Sequence, residues 1–84
     1  MSTPSGIVKQ RLSRAGIRHK VAVPMGTFIA DYVAAGKYAV IITDDDIIDR
    51  IHEIERRKLI PFKIRTDSFF EDDLAWLIEV CKQI

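Results

Sequence analysis

The fold is decided by the segment Tyr38-Ala-Val-Ile-Ile-Thr-Asp-Asp-Asp-Ile-Ile-Asp-Arg-Ile-His-Glu-Ile-Glu-Arg-Arg-Lys-Leu-Ile-Pro-Phe-Lys-Ile-Arg65, which predicts a strand, a turn, a helix and a second strand. Its first six residues form an apolar, β-rich run, and continuous hydrophobicity is typical of a strand buried on both faces of a mostly parallel sheet. Isoleucines at helical spacing then predict the buried stripe of a helix: Ile47, Ile48, Ile51 and Ile54. Pro61 ends that helix and opens a strand in which Ile60, Phe62 and Ile64 face inward.

The rest of the chain is predicted to alternate between helices and strands around this unit. A helix begins at Ser5 and ends at Gly16, a strand covers residues 17–23, and a second helix begins at Thr27 and ends near Gly36. A last helix follows the third strand. The order α-β-α-β-α-β-α predicts an α/β fold, with a three-stranded, mostly parallel sheet covered by helices.

Local signals support the predicted helix starts and sheet edges. Two pairs of residues have the spacing of a capping box, namely Thr43 with Asp46 and Ser68 with Glu71. The two outer strands each carry a lysine, which discourages pairing between sheet edges of different molecules: Lys20 and Lys63.

Length and composition predict one small globular domain. The chain has 84 residues, of which 48% are hydrophobic and 30% are charged. We expect a single α/β domain over residues 1–84, with residues 1–4 disordered. The sequence shows neither a run of about 20 apolar residues nor a signal-peptide pattern, so we expect no membrane partner. Its single cysteine, Cys81, excludes an internal disulfide and favours a cytoplasmic location.

The charge is divided unevenly along the chain. Residues 1–42 hold six basic side chains and one acidic one, a net charge of +5, whereas residues 43–84 hold seven basic and eleven acidic ones, a net charge of −4. Such asymmetry favours association, either with an anionic partner or head to tail between copies. We therefore expect a protein partner or self-association.

The predicted ligand-binding site is the rim beyond the carboxyl ends of the strands, where open α/β sheets bind ligands. Hydroxyl and carboxylate groups gather there: Gly26, Thr27, Thr43, Asp44, Asp45, Thr66 and Asp67. Such oxygens suit Mg²⁺, and a Mg²⁺-dependent phosphoryl enzyme built on Asp44, Asp45 and Asp46 is one hypothesis. The simpler interpretation is that these residues start helices, and we predict no cofactor and no metal site.

Other candidate sites are weaker. A basic strip could contact nucleic-acid phosphates, although no aromatic residues that would stack bases lie between its members: Lys9, Arg11, Arg14, Arg18 and Lys20. His19 and His52 do not form a metal-ligand pattern with Cys81. Cys81 lies on a helical apolar stripe and is predicted to be a packed thiol. No serine has the surroundings of a catalytic nucleophile, so an enzyme is not favoured.

Three families resemble parts of this sequence. Residues 35–43 followed by 59–69 look like the DRTGG-type domain of regulatory modules, a likeness that spans about residues 21–78 and implies a nucleotide-sensing pocket. Residues 40–51 with 60–64 are similar to the small F subunit of rotary V-type ATPases, which implies a non-catalytic stalk protein. Residues 36–44 resemble the kink-turn RNA-binding ribosomal protein family.

These observations favour a non-catalytic binding module. We expect a small regulatory or accessory subunit that acts through protein–protein contacts, with the strand-end rim available to a small ligand. The alternative is an RNA-binding module that uses the basic strip.

Overall fold

The computed structural model describes residues 3–83, which form three helices and four strands in the order α-β-β-β-α-β-α. Their bounds are α1 Pro4–Arg14, β1 His19–Met25, β2 Phe28–Ala34, β3 Tyr38–Ile42, α2 Ile48–Arg56, β4 Ile60–Ile64 and α3 Phe70–Lys82.

All four strands lie in one mixed sheet in the order β1-β2-β3-β4. The first three are antiparallel neighbours, whereas β3 and β4 are parallel and are joined through α2. The α/β class is correct, but the predicted three-stranded, mostly parallel sheet is wrong: the described part of the chain has a four-stranded mixed sheet and three helices. β3 lies inside the sheet, as its continuous hydrophobicity predicted, and Lys20 and Lys63 do lie on the two edge strands.

The second predicted helix is in fact strand β2. Phe28, Ile29, Tyr32 and Val33 recur at a spacing that fits one face of a helix, which is why the sequence predicts one. The same side chains are aromatic and β-branched, and such residues pack well on a pleated sheet. Tyr32 lies in the core on one face of the sheet and Val33 in the core on the other. Pairing with β1 and β3 therefore overrides the local periodicity.

Two tight loops allow β2 to pair with the strands on both sides of it. Gly26 and Thr27 form a two-residue loop between β1 and β2, and Gly26 has a φ of 70° at the position where a Gly-X hairpin loop favours glycine. Pro24 does not end β1, because an edge strand tolerates a residue without an N–H. Residues 35–37, predicted to end a helix, form the loop between β2 and β3, with Gly36 at a φ of 65°.

The sheet separates two apolar cores. Helices α1 and α3 cover one face, where they bury Val8, Leu12, Leu74, Leu77 and Cys81. The nine-residue helix α2 lies on part of the other face, where Ile54 packs with Met25 and Ile41. Side chains of β3 alternate between the two cores, with Val40 in the first and Ile41 in the second. One face therefore carries two helices and the other a single short one.

The first helix is capped by Thr3 and not, as predicted, by Ser5. The hydroxyl of Thr3 accepts a hydrogen bond from the N–H three residues later at 3.1 Å, and Pro4 occupies the first turn of the helix. Ser5 instead contacts the sheet, because its carbonyl oxygen accepts a hydrogen bond from the Tyr32 hydroxyl at 2.9 Å. Of the segment predicted to be disordered, residues 1 and 2 lie outside the described residues.

At the starts of α2 and α3, single aspartates take the place of the predicted capping boxes. Asp46 accepts a hydrogen bond from the N–H of Ile48 at 2.9 Å, and Asp67 accepts one from the N–H of Phe69 at 2.9 Å. Asp46 thus satisfies the N–H of the first residue of α2, and Asp67 satisfies the N–H of the residue that precedes α3; negative charge is favourable at both places. Two of the aspartates considered above as candidate site residues therefore stabilise the segments in which helices begin.

Candidate functional site

One carboxylate holds the predicted strand-end rim together. Asp44 follows β3, and its Oδ1 accepts a hydrogen bond from the N–H of Thr66 at 2.7 Å, while its Oδ2 accepts one from the Thr66 hydroxyl. The hydrogen bond from the Thr66 hydroxyl is the main reason why the pKa of Asp44 is lowered, and the charge of Lys63 contributes less. The ends of β3 and β4 are adjacent, as the rim prediction requires. Both oxygens of Asp44 are engaged in joining them.

The remaining rim residues mostly stabilise their own turns. The Thr43 hydroxyl accepts a hydrogen bond from the N–H of Asp45 at 3.1 Å, and the Asp67 carboxylate accepts one from the N–H of Phe69, in the turn before α3. Within residues 3–83, no group of three or more His, Cys, Asp or Glu side chains is arranged to hold a metal ion. Five predicted rim residues thus lie together at the carboxyl ends of β3 and β4, namely Thr43, Asp44, Asp45, Thr66 and Asp67. A ligand at this end of the sheet stays a prediction.

Gly26 and Thr27, the other two predicted rim residues, form the hairpin loop at the same end of the sheet. A Cβ atom at Gly26 would lie 2.7 Å from Oε2 of Glu53 on α2. Glu53 is fixed by Arg57, whose Nη1 lies 2.8 Å from the same Oε2, and this hydrogen bond lowers the pKa of Glu53. Gly26 is thus a point of close approach between the β1–β2 hairpin and α2.

We expect Gly26→Ala to lower the free energy of unfolding by about 1–2 kcal/mol, because a side chain at positive φ is strained and the new Cβ would displace Glu53. Gly16→Ala is the matched control, since Gly16 has a φ of 72° and a Cβ added there would meet nothing within 4 Å. Urea unfolding of both variants measures the difference. A loss at Gly26 that is no larger than the loss at Gly16 would show that the contact with Glu53 contributes nothing.

Four of the five residues in the predicted basic strip are divided between two grooves. Arg11 forms an ion pair with Glu71 of α3, with 3.0 Å between Nη2 and Oε2. Arg11 and Arg14 line a shallow groove between α1 and α3. Arg18 and Lys20 line a different cleft, beside β1. Lys9 is exposed on α1. Binding of nucleic acid by these residues stays a prediction.

The cleft beside β1 has a volume of about 820 Å³ and an apolar floor. Val23, Val33 and Leu59 form that floor, at the flank of the core that α2 covers. Arg18 and Lys20 are exposed at its margin, and neither forms an ion pair with a carboxylate of residues 3–83. The cleft therefore offers an apolar surface edged by two positive charges.

This cleft is open because one helix cannot cover a four-stranded sheet. Strands lie about 4.8 Å apart, so the outer strands of such a sheet are roughly 14 Å apart. A helix with its side chains is about 10 Å across. α2 packs against β4 and over the hairpin loop, and the cleft walls come from β1, β2 and the loops that precede β1, β3 and β4.

An irregular step in β1 brings the basic and apolar groups of the cleft together. Ala22 has a φ of 51°. The β1–β2 ladder pairs the residues before and after Ala22 and Asp31 but does not pair these two residues with each other. Asp31 does not line a site: its Oδ2 accepts a hydrogen bond from the N–H of Ile42 at 2.8 Å, beyond the last pair between β2 and β3. The step changes the alternation of side chains, so Lys20 and Val23 line the same cleft although they are three residues apart.

The apolar part of this cleft was not predicted from the sequence. A helix prediction for residues 27–35 could not place Val33 beside Lys20, its partner across the β1–β2 ladder. The signal that was available is the Gly26-Thr27 pair between two β-rich runs, which is typical of a two-residue hairpin. A hairpin at this point would have predicted the pairing of Val33 with Lys20. The positive φ of Ala22 has no comparable signal in the sequence.

His19 and Cys81 contact the rest of the fold, whereas His52 is exposed. Nδ1 of His19 donates a hydrogen bond to the carbonyl oxygen of Ile17 at 2.9 Å, and its ring lies edge-on to Tyr32 at 6.0 Å. His52 is exposed on α2. Cys81 is buried in the core, as its place on the helical stripe predicted, and burial raises the pKa of its thiol. A raised pKa lowers the thiolate fraction and hence the reactivity of the sulfur.

No protein-family model, curated protein or solved structure matches the chain. The resemblances to DRTGG-type domains, to the F subunit of V-type ATPases and to kink-turn RNA-binding ribosomal proteins therefore stay predictions. Among residues 3–83, no helix has the length and apolar composition needed to cross a membrane.

Proposed function

We propose that this protein is a non-catalytic binding module, a small regulatory or accessory subunit of the cytoplasm, and that the cleft beside β1 is its protein-contact surface. The observation that supports this proposal is the combination in one cleft of an apolar floor with the charges of Arg18 and Lys20. Protein interfaces have this composition, with an apolar centre, a polar rim and a preference for arginine. The partner surface should accordingly carry an apolar side chain flanked by carboxylates.

The contact is made by side chains and not by addition of a strand. β1 is an edge strand, which is the usual position for a partner strand to pair. However, Pro24 lacks the N–H that a ladder needs, and Ala22 interrupts the extended backbone with its φ of 51°. A partner that fills the cleft with a side chain avoids both obstacles. Burial of apolar surface there contributes about 25 cal/mol per Å² removed from water.

A small ligand at the strand-end rim is the second part of the predicted function. Such a ligand has to compete with Thr66 for the oxygens of Asp44 or bind outside them. The cleft requires no such displacement, because Arg18 and Lys20 are not engaged with a carboxylate of the described chain. We therefore assign the protein contact to the cleft.

Site-specific photo-crosslinking in the source cells tests this assignment. A benzophenone amino acid is placed at Arg18, at the margin of the cleft, and in a control variant at Gln10, which is exposed on α1 on the other face of the sheet. We expect a discrete cross-linked protein from position 18 and not from position 10. Adding Lys20→Glu to the position 18 variant should reduce the yield several-fold, because it reverses a charge at the contact.

Two outcomes would contradict the proposal. Equal yields from positions 18 and 10 would mean that the cleft has no preference for a partner. A yield from position 18 that Lys20→Glu leaves unchanged would mean that the charged margin of the cleft does not take part in the contact.

A further inference from the structure

Trp76, the only tryptophan of the chain, lies on the outer surface of α3. Its neighbours Leu74 and Leu77 are fully buried, whereas Trp76 is 61% exposed. Tryptophan buries a large apolar area when it is covered, about 150–250 Å². An exposed tryptophan on an otherwise well-packed helix therefore has substantial apolar area left to bury against a partner.

Two carboxylates flank Trp76 on the same side of α3. Asp72 precedes it by four residues and Glu79 follows it by three, which places all three side chains on one helical face. Neither carboxylate forms an ion pair with a basic side chain of residues 3–83, and both are exposed. We call Asp72, Trp76 and Glu79 the acidic ridge.

The acidic ridge is complementary to the cleft beside β1. The ridge offers an apolar ring between two negative charges, and the cleft offers an apolar floor beside the positive charges of Arg18 and Lys20. The charged residues of the two surfaces also belong to the oppositely charged halves of the chain, with net charges of +5 for residues 1–42 and −4 for residues 43–84. Opposite charge and matching apolar surface favour docking of one on the other.

We propose that the acidic ridge of one copy docks into the cleft of a second copy, so that the protein associates with itself head to tail. This inference rests on the proposed function, because it names the partner of the same cleft. The ridge and the cleft lie on opposite sides of the sheet, since α3 covers one face and the cleft opens on the face of α2. A pair of copies therefore keeps one free ridge and one free cleft, and the contact repeats into open chains or closes into a ring.

Tryptophan fluorescence and sedimentation velocity test self-association directly. Because Trp76 is the sole tryptophan, its emission maximum should shift to shorter wavelength as the protein concentration rises and the indole ring leaves water. Larger species should appear in sedimentation over the same concentration range. Raising the salt concentration should reverse both changes, because screening weakens attraction between exposed charges.

Complementation between two variants identifies the surfaces. Trp76→Ala keeps the cleft and loses the ridge, whereas Lys20→Glu keeps the ridge and damages the cleft. We expect each variant alone to remain monomeric. An equimolar mixture should form dimers and stop there, because the ridge of the Lys20→Glu copy can enter the cleft of the Trp76→Ala copy only once. The emission maximum of the Lys20→Glu copy should shift when the tryptophan-free variant is added.

The outcomes separate this inference from the proposed function. A wild-type protein that stays monomeric with unshifted emission at every concentration would overturn self-association, and so would larger species that survive both substitutions. If position 18 nevertheless cross-links a different protein, the cleft is still a contact surface and the proposed function stands. If position 18 cross-links nothing, both proposals fail.

Discussion

Leu77→Ala is expected to lower the free energy of unfolding by about 2–5 kcal/mol, the range found when a fully buried leucine is truncated. Leu77 is completely buried on α3, in the core that α1 and α3 form against the sheet. Removing its side chain forfeits the burial of apolar surface and leaves a cavity. A domain of 84 residues has a total stability of roughly 4–12 kcal/mol. The variant should therefore be close to the limit of folding at moderate temperature.

Chemical denaturation at low protein concentration measures this loss, with Trp76→Ala as the control. Trp76 is adjacent on the same helix but is 61% exposed, so its replacement should change stability by about 0.5 kcal/mol or less. Circular dichroism follows both variants, because Trp76→Ala has no tryptophan. Equal losses in the two variants would contradict the packing of α3, since they would mean that positions 76 and 77 are similarly buried.

The stretches with the strongest local pattern were predicted correctly. The run from Tyr38 to Ile42 is a strand buried on both faces, and helix α2 does follow it. The predicted isoleucine stripe of that helix is only partly correct: Ile54 is buried, but Ile47 precedes the helix and Ile48 is 72% exposed. The helical stripe to which Cys81 was assigned is also buried as predicted, because Cys81 lies in the core with its neighbour Leu77. In β3 and α3 one continuous run of side chains meets the core, so local periodicity and tertiary packing agree.

The sheet topology could not be derived from periodicity in the same way. The segment from Phe28 to Ala34 fits a helical spacing and a strand composition equally well, and only its pairing with β1 and β3 decides between them. Once this segment is a strand, a short hairpin replaces a helical crossover, and β2 runs antiparallel to both neighbours. A single helix assignment thus determined the number of strands, their directions and the number of helices on the sheet.

The predicted ligand site was derived from the same topology, and a ligand there stays a prediction. The rule that ligands bind beyond the carboxyl ends of strands applies to parallel sheets, and here only β3 and β4 are parallel neighbours. At that junction Asp44 and Thr66 do meet, as predicted. The cleft lies instead beside an antiparallel edge, where an incomplete helical layer exposes the sheet. The part of a sheet that stays uncovered depends on how many helices pack on each face. A helix predicted in place of β2 gives the wrong number of helices, and so the uncovered part of the sheet could not be predicted.

Asp73 of α3 is bound to Arg65, the residue that follows β4, and so joins this strand to the helix. Its Oδ2 accepts two hydrogen bonds from Arg65, one from the backbone N–H at 3.0 Å and one from the side-chain Nε at 2.9 Å. Its Oδ1 accepts a third, from Nη2 of Arg65 at 2.8 Å. The Asp73 side chain is 16% exposed, and the guanidinium also lies over the ring of Phe69 at 4.2 Å. A two-pronged charged contact that also binds a main-chain N–H is stronger than a surface ion pair.

Asp73→Asn is expected to lower the free energy of unfolding by about 1–3 kcal/mol at neutral pH, because it removes the charge from these hydrogen bonds. The hydrogen bond from Arg65 lowers the pKa of Asp73 in the folded state below its ordinary value of 3.8. A carboxyl with a lowered pKa stabilises the fold above its unfolded-state pKa, and this stabilisation is lost as the pH falls through the folded-state value. The difference in the free energy of unfolding between wild type and Asp73→Asn should therefore be constant near neutral pH and narrow below pH 3.8.

Urea unfolding across this pH range measures the difference, with the exposed neighbour Asp72→Asn as the control. A gap that does not change with pH would mean that asparagine disturbs packing and that the carboxylate charge contributes little.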